Sequence, residues 1–485
     1  MKRLFLSFAI VLLGVLPMTA VAVATPKRTL AGNMNITYNR LPGSVERLSE
    51  VVTQGMLYGR LRSNYFYYDW EDEAPGRRKD HRALGLGGSL IVKSGRYQGW
   101  AGTLGVYTSR GGLVAMARED VGLLKSGKDT LSRRKVDNGG NYGLTVLGQA
   151  FVEFAAMQTR VVVGRQLFHS LLTQPNDTKM IPNAFDGVSL TTQALPQTEL
   201  RAAYFVAQKL RDHISNHDVI TYQNARGEPW ANQDDSAVHK GLSYVNFIAA
   251  GQTTQHALAI GTLESHPIDR LTLSGHVYSV PEVLANLSIE ANYAWPIGAW
   301  RLTPGMRYMR QIDTGGGAIG GAALDGDVDR DHPRGYRSPA SLAGQLLALR
   351  SVLTNPAGYA SVLFGFSRVF DKADLVAPWR GFPTGGYTRA MAQFNWNANT
   401  NSYMAQVKLD LGKAGWLPGL RSSLRYAWMD FDEAKGYSDR RIINLDIWQK
   451  LPFGNNLEAK LRLGLVEDEG QTAYNEYRFE MNYLF

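Results

Sequence analysis

The chain has no cysteine anywhere in its 485 residues. A disulfide framework and a thiolate metal centre are both closed to it, which suits a protein exported into an oxidising compartment. Long apolar runs are missing too. Past the first two dozen residues, nothing approaches the roughly eighteen consecutive apolar residues of a membrane-spanning helix. Histidine is scarce, at nine, and no G-x-S-x-G, H-E-x-x-H or P-loop is present. A helical membrane protein is excluded, and the familiar hydrolase and nucleotide-binding signatures are absent.

Alternation is what the chain has instead. In 474–485, Tyr477, Phe479, Met481, Tyr483 and Phe485 share one parity, while Glu476, Arg478, Glu480 and Asn482 share the other. Strict period two marks a strand with an apolar and a polar face. A charge-free aromatic face running to the last residue needs a solvent other than water, so this stretch is expected to be the closing strand of a transmembrane β-barrel, apolar outside and charged inside.

The opposite end reads as an export signal over 1–24. Lys2 and Arg3 precede an apolar core from Leu4 to Leu16, and Ala22-Val23-Ala24 forms a cleavage site. An exported chain without a spanning helix can live in a bilayer only as a closed barrel, because an open sheet edge leaves backbone groups unpaired in hydrocarbon. Mean hydropathy of −0.22 fits alternating strands, and 11% aromatics with 50 glycines fits interfacial girdles and tight turns. The formal charge of +9 becomes +7 once Lys2 and Arg3 are removed. That excess points to anionic partners, namely solutes, lipopolysaccharide phosphates or nucleic acid, without choosing between them.

Residues 25–53 are expected to be an irregular periplasmic leader and 54–485 the barrel. Alternating segments fall near 54–68, 81–93, 97–108, 141–155, 158–167, 186–193, 198–210, 254–264 and 269–279. Further ones fall near 283–295, 299–312, 342–353, 357–369, 402–411, 420–430, 440–450, 456–467 and 474–485. This gives an all-β, closed antiparallel barrel of about eighteen strands, each spanning the bilayer when tilted by about 45°. Short turns such as 94–96, 296–298, 355–356 and 452–454 should face the periplasm. Long polar loops at 109–140, 168–185, 211–253, 313–341 and 370–401 should face outward. Two strand-like pieces, Leu242–Ala250 and Arg389–Trp396, are placed inside long loops, and a twenty-strand count using both is the rival topology. Trp100, Trp295, Trp300, Trp396, Trp428 and Trp448 lie towards strand ends or in neighbouring loops, where several suit an aromatic girdle.

Gly164-Arg165-Gln166, the run from Pro175 through Asn176, Asp177, Lys179, Met180, Pro182 and Phe185 to Gly187, the Pro418-Gly419-Leu420 turn and the Leu-Phe end together resemble the OprD-type substrate-selective outer-membrane porins. The resemblance spans essentially the whole mature chain. It implies a monomeric eighteen-stranded barrel in the outer membrane of a Gram-negative bacterium, without a cofactor. It also implies passive diffusion of small hydrophilic solutes, with the third long loop folded inward and basic wall residues guiding carboxylates. By position, 168–185 is then the constriction loop, with Asn176, Asp177 and Lys179 near the eyelet. The loops at 109–140 and 211–253 are long for the family.

The wall chemistry is read separately. Lumen-facing parity holds Arg60, Arg62, Arg307, Lys408, Arg421, Arg425, Lys460, Arg462 and Arg478, with acids at Glu290, Asp410, Asp446, Glu458, Glu476 and Glu480. A symmetric last hairpin sets Arg462 opposite Arg478 and Lys460 opposite Glu480, and Arg425 is expected to reach Asp446. Closure of the last strand on the first is expected to bring Arg60 and Arg62 beside Arg478. Four guanidiniums without matching acids would make an anion path for carboxylates. The alternative is a set of merely solvated wall residues.

Weaker signals sit in loops. His213 and His217 are spaced for a helical metal site, with a solvated polar loop as the plainer reading. Asp325, Asp327, Asp329 and Asp331 alternate as in calcium loops but lack the glycine and glutamate that such loops need. The G-x-G-x-x-G within Gly315–Gly320 has no βαβ context and reads as a flexible loop. Lys125, Lys128, Arg133, Arg134 and Lys135 form a basic run in an outward loop, solvated or against lipopolysaccharide, and no module for nucleic acid accompanies it. Partners are therefore solutes, outer-membrane lipids, and the assembly machinery through the strand ending in Phe485. The competing functions are a barrel enzyme and a loop-mediated adhesin.

Overall fold

The computed structural model describes residues 30–32, 36–114, 118–124, 130–131, 143–221, 241–320, 341–391, 393–452, 456–469 and 471–485. Alternating residues form strands wherever the two faces meet different solvents. Eighteen of these build the barrel wall: β1 (Met56–Trp70), β2 (His81–Lys93), β3 (Trp100–Val114), β4 (Leu144–Ala156), β5 (Thr159–Gln166), β6 (Ala184–Leu195), β7 (Thr198–Lys209), β8 (Leu258–Ser265) and β9 (Leu271–Val280). The circuit continues with β10 (Leu284–Tyr293), β11 (Trp300–Asp313), β12 (Gln345–Thr354), β13 (Ala360–Val369), β14 (Thr400–Asp410), β15 (Leu420–Asp430), β16 (Arg440–Lys450), β17 (Leu457–Asp468) and β18 (Gln471–Leu484). Each pairs antiparallel with the next, and β18 pairs with β1, so the sheet has no free edge.

The two faces separate as the alternation requires. Leu61 is 59% exposed and Phe364 63%, whereas Arg62 is 5% exposed and Asn64 fully buried. On β18, Glu476, Arg478, Glu480 and Asn482 are buried inside, and Tyr483 and Phe485 face out. Charged residues thus line a wet interior, and a greasy band surrounds it.

At one rim the connections are tight. Met157 and Gln158, at φ 46° and 63°, make a two-residue turn of the left-handed kind that matches strand twist. Trp100, Trp295, Trp300 and Trp416 are exposed at this turn rim. Trp396 departs from the girdle expectation, being fully buried. Trp448 faces the lumen, with the Lys460 ammonium 5.3 Å from its ring.

At the other rim most connections are long, although β9–β10 and β17–β18 are joined by short ones. The two left-over segments are not strands. Tyr244–Ala249 is a helix, because the Ser243 side chain caps the Asn246 N–H and Phe247 is buried. Among the described residues of Arg389–Trp396 there is no strand. The count is therefore eighteen, not twenty. Loop 370–399, expected to face outward, instead turns into the barrel, with Trp379 and Trp396 fully buried there. An apolar cluster joins it to the wall: Leu172 from loop 167–183, Val219 and Phe247 from loop 210–257, and Tyr278, Leu346 and Val369 from the strands. Each large side chain withdrawn from water here contributes about 1.5–3 kcal/mol. The aqueous lumen occupies the remaining space.

The leader is more ordered than expected. Leu30–Gly32 pairs antiparallel with Ile36–Tyr38, Ser44–Val45 runs parallel to Arg96–Tyr97, and Glu50–Thr53 is a single helical turn. The acidic run at Asp325–Asp331, the basic residues Lys125, Lys128, Arg133, Arg134 and Lys135 and the export signal at 1–24 lie outside the described residues.

Candidate functional site

Two loops narrow the lumen, and the sequence at their bases shows why they turn inward. The first is 167–183, between β5 and β6. Below it Gly164 faces Gly187 across the strand pair. A Cβ on Gly164 would collide with the Ala150 carbonyl, and one on Gly187 with that of Tyr204. Both have φ values, 124° and 154°, that favour glycine. One residue on, Arg165 grips Asp186 with two hydrogen bonds of 2.8 and 2.9 Å. The base of the loop is thus clamped by the motif residues that the sequence singles out.

From this base the loop reaches across the lumen to β1. Asp177, fully buried, lies 2.5 Å from Arg60 and 2.9 Å from Arg62. Arg62 also donates to the Lys179 carbonyl, to Asn482 at 2.8 Å and to Glu480 at 3.3 Å. The Lys179 ammonium lies 5.0 Å from the Phe66 ring. On the far side, Arg211 donates to the Asn176 carbonyl at 3.2 Å, to its side chain at 3.1 Å and to Thr178 at 3.1 Å. Below these, Tyr278 donates to Ser170 at 2.8 Å and accepts from the Leu172 N–H.

The second loop, 370–399, lies against the first by backbone pairing. Gln174 N–H donates to the Trp379 carbonyl at 3.1 Å, and Gly381 N–H to that of Leu172 at 2.9 Å. A Cβ on Gly381 would strike the Leu172 backbone, so only glycine permits the approach. Wall arginines hold the loop from outside. Arg307 donates to the carbonyls of Pro383 at 2.7 Å and Gly385 at 3.0 Å, and Arg350 to that of Gly386 at 3.1 Å. Both guanidiniums flank the Tyr387 ring at 4.7 Å and share Glu290.

A cavity of about 1940 Å3 runs between loops and wall. Arg380 and Arg389 from the second loop, Arg211, and Arg425 and Arg462 from the wall all line it. Arg425 donates to the Arg389 carbonyl at 3.3 Å, and Asn176 donates to that of Arg380 at 3.4 Å. Arg389 lies across the Phe382 ring, its guanidinium carbon 3.2 Å from the centroid. Burial, then the charges of Arg425, Arg380, Arg462 and Arg211, pull its pKa well below the ordinary guanidinium value. Among the described residues no carboxylate bonds to Arg389 itself; of the arginines around it, Arg462 is paired with Asp446.

The expected arginine group is rearranged. Arg462 does face Arg478, and Lys460 faces Glu480. Closure, however, sets Arg478 opposite Phe66, while Arg62 meets Asn482 and Arg60 meets Leu484. Arg60 and Arg62 are therefore offset from Arg478, and each of the four has an acid: Asp177 for Arg60 and Arg62, Asp446 at 2.7 Å for Arg462, and Glu476 for Arg478. Arg425 faces Asn444 in register, and the expected Arg425–Asp446 bond gives way to Arg462–Asp446. Arg307 anchors a loop as well as lining the lumen. Lys408, Lys460 and Arg478 line the lumen as expected.

His213 and His217 are on no helix, and His213 is buried rather than solvated. Arg211, Arg350, Arg380 and Arg389 were not among the expected site residues. The readable signal for the last two was the loop's own composition. Trp379, Phe382, Tyr387, Phe394 and Trp396 are too many aromatics for a loop bathed in water.

An apolar exterior, a closed sheet and a cationic aqueous lumen narrowed from within define a membrane-spanning channel. The model for the family described as "outer membrane porin, OprD family" matches residues 52–483, and the chain belongs to that family. It is an outer-membrane, substrate-selective porin of a Gram-negative bacterium. Solved structures agree on the fold. OccAB4 of Acinetobacter baumannii superposes with a TM-score of 0.68 at 13% identity, over 89% of this chain and 98% of that one. OpdQ of Pseudomonas aeruginosa gives 0.64 at 16% identity, over 89% and 98%. OpdK of Pseudomonas aeruginosa, solved with vanillate, gives 0.66 at 14% identity, over 90% and 99%. No curated protein matches the chain. The family so matched is one of porins.

Proposed function

We propose that the channel passes small carboxylate-bearing solutes by passive diffusion, and that the arginines of the second inner loop select them. The observation that carries this is Arg389, surrounded by Arg380, Arg425, Arg462 and Arg211 with no bonded carboxylate among the described residues. A carboxylate arriving there supplies the missing counter-charge through bidentate hydrogen bonds that a guanidinium fork is shaped to give. Lys408, Lys460 and Arg478 continue the positive wall, so the solute moves by short exchanges between donors. Acids beside them, Asp446 and Glu480, keep each stop weak enough to leave. The vanillate held by OpdK is itself an aromatic carboxylate.

In this reading residues 1–24 direct export and are removed, the tight turns face the periplasm, and one chain makes one pore. The strand ending in Phe485 is what the assembly machinery takes hold of, and lipopolysaccharide phosphates meet the basic outer loops. The test uses planar bilayers. The wild type should pass stepwise currents that benzoate reduces. R389Q should conduct while its anion-over-cation preference falls by about three- to tenfold. An unchanged preference in folded R389Q would remove the arginine reading and leave the pore.

A further inference from the structure

The segment ahead of β1 is fixed at the turn rim and then enters the barrel. At the rim, Arg96 N–H donates to the Gly43 carbonyl at 3.0 Å, and Gly95 N–H to that of Val51 at 2.8 Å. Further in, the Tyr58 hydroxyl of β1 donates to the Arg40 carbonyl. Alternation then sorts the side chains. Ile36 and Tyr38 are half-buried, while Thr37 and Asn39 are exposed, with Thr37 on the channel lining.

Tyr38 fills a specific seat. Its ring meets that of Tyr58 edge-on at 4.7 Å, and the Lys93 ammonium lies 4.7 Å from its centroid. Ile36 and Tyr38 pack on a cluster of Tyr58, Ile91, Tyr107, Leu144, Met180 and Ile181, among others. The last two, both fully buried, belong to the first inner loop. The same loop grips Arg60 and Arg62 through Asp177. The leader is therefore packed into the apolar seat on which the constriction loop rests. It also precedes residue 52, where the family match begins.

We infer that residues 36–45 position the constriction loop from within the lumen, with Tyr38 as the wedge and Thr37 on the water-filled face. The inference goes beyond the carboxylate reading, because it concerns how wide the eyelet is held and not which charge it prefers. Its experiment uses neutral solutes, so it succeeds or fails independently of R389Q.

The chain has no cysteine, so T37C carries the only thiol. A bulky charged methanethiosulfonate should cut the T37C current stepwise and leave the wild type untouched. No response in T37C would place the leader outside the conducting path and overturn the inference. Y38A should raise mean conductance by about twofold and increase open-channel noise. It should also admit larger neutral oligosaccharides in liposome swelling, with barrel melting unchanged. Y38F, which keeps the ring, should restore wild-type conductance and size limit. If folded Y38A kept the wild-type conductance and size limit, or if Y38F failed like Y38A, Tyr38 would not be a wedge.

Discussion

Asp177 is one carboxylate shared by two buried guanidiniums, and it ties the first inner loop to β1. D177N keeps the shape but leaves Arg60 without its acid and Arg62 with Glu480, at 3.3 Å, as its one remaining acid among the described residues. Breaking a buried ion pair from one side costs about 3–5 kcal/mol. The strand network outlasts that loss, so the effect should appear as a released loop: faster proteolysis within 167–183 and noisier currents from a barrel of unchanged melting. Asp218 makes a similar point in loop 210–257. It accepts hydrogen bonds from the Ile220 and Thr221 N–H groups and pairs with His256 at 2.9 Å. Burial pushes its carboxyl up, but bonds from His256 and Thr221 outweigh this and hold it below its ordinary value. A carboxyl depressed in the folded state contributes stability above its unfolded pKa and loses it as pH falls through the folded one. Hydrogen exchange in 218–221 should therefore stay slow at about pH 5 and rise only below about pH 4. In D218N it should be fast at neutral pH.

At the scale of elements, the strands were legible and the inner loops were not. Period two needs only local sequence, so the eighteen strands fell close to where the alternation put them, with β3 the largest departure because it runs on to Val114. The last hairpin register was also readable, because its loop is short enough to count across. Barrel closure was not: the partners of Arg60 and Arg62 depend on shear around the full circuit, and on Asp177 descending from a distant loop. Loop 370–399 was misread because polarity was expected of all long loops, although its aromatics argued for burial. Its seating tests the point. G381A places a methyl against the Leu172 backbone, and overpacking of this kind costs about 1–3 kcal/mol. Separating the two loops should widen the spread of open-channel currents and speed tryptic cleavage near Arg380 and Arg389. Unaltered currents would show that the Leu172–Gly381 contact does not set the eyelet.

At the scale of the molecule, exposure divides the tryptophans by role. Trp100, Trp295, Trp300 and Trp416 stand at the turn rim facing outward, while Trp379 and Trp396 are sealed inside. Variants keeping a single tryptophan should show this with brominated lipids. The first four should be quenched by bromine near the headgroup, and the last two by none. Quenching of Trp379 by lipid would mean that its loop is not inside.

The seam between β18 and β1 carries one more consequence. The backbone groups of Gly59 and Phe485 bond to each other at 2.8 and 3.0 Å, and a side chain on Gly59 would occupy the space of the Phe485 ring. The earliest and latest strands of the wall pair along their length, and this bond closes the ladder at its end. A slip of one position there would turn every greasy residue of the last strand toward water. The register at closure is thus fixed near the turn rim, at the other end of the strands from the long loops.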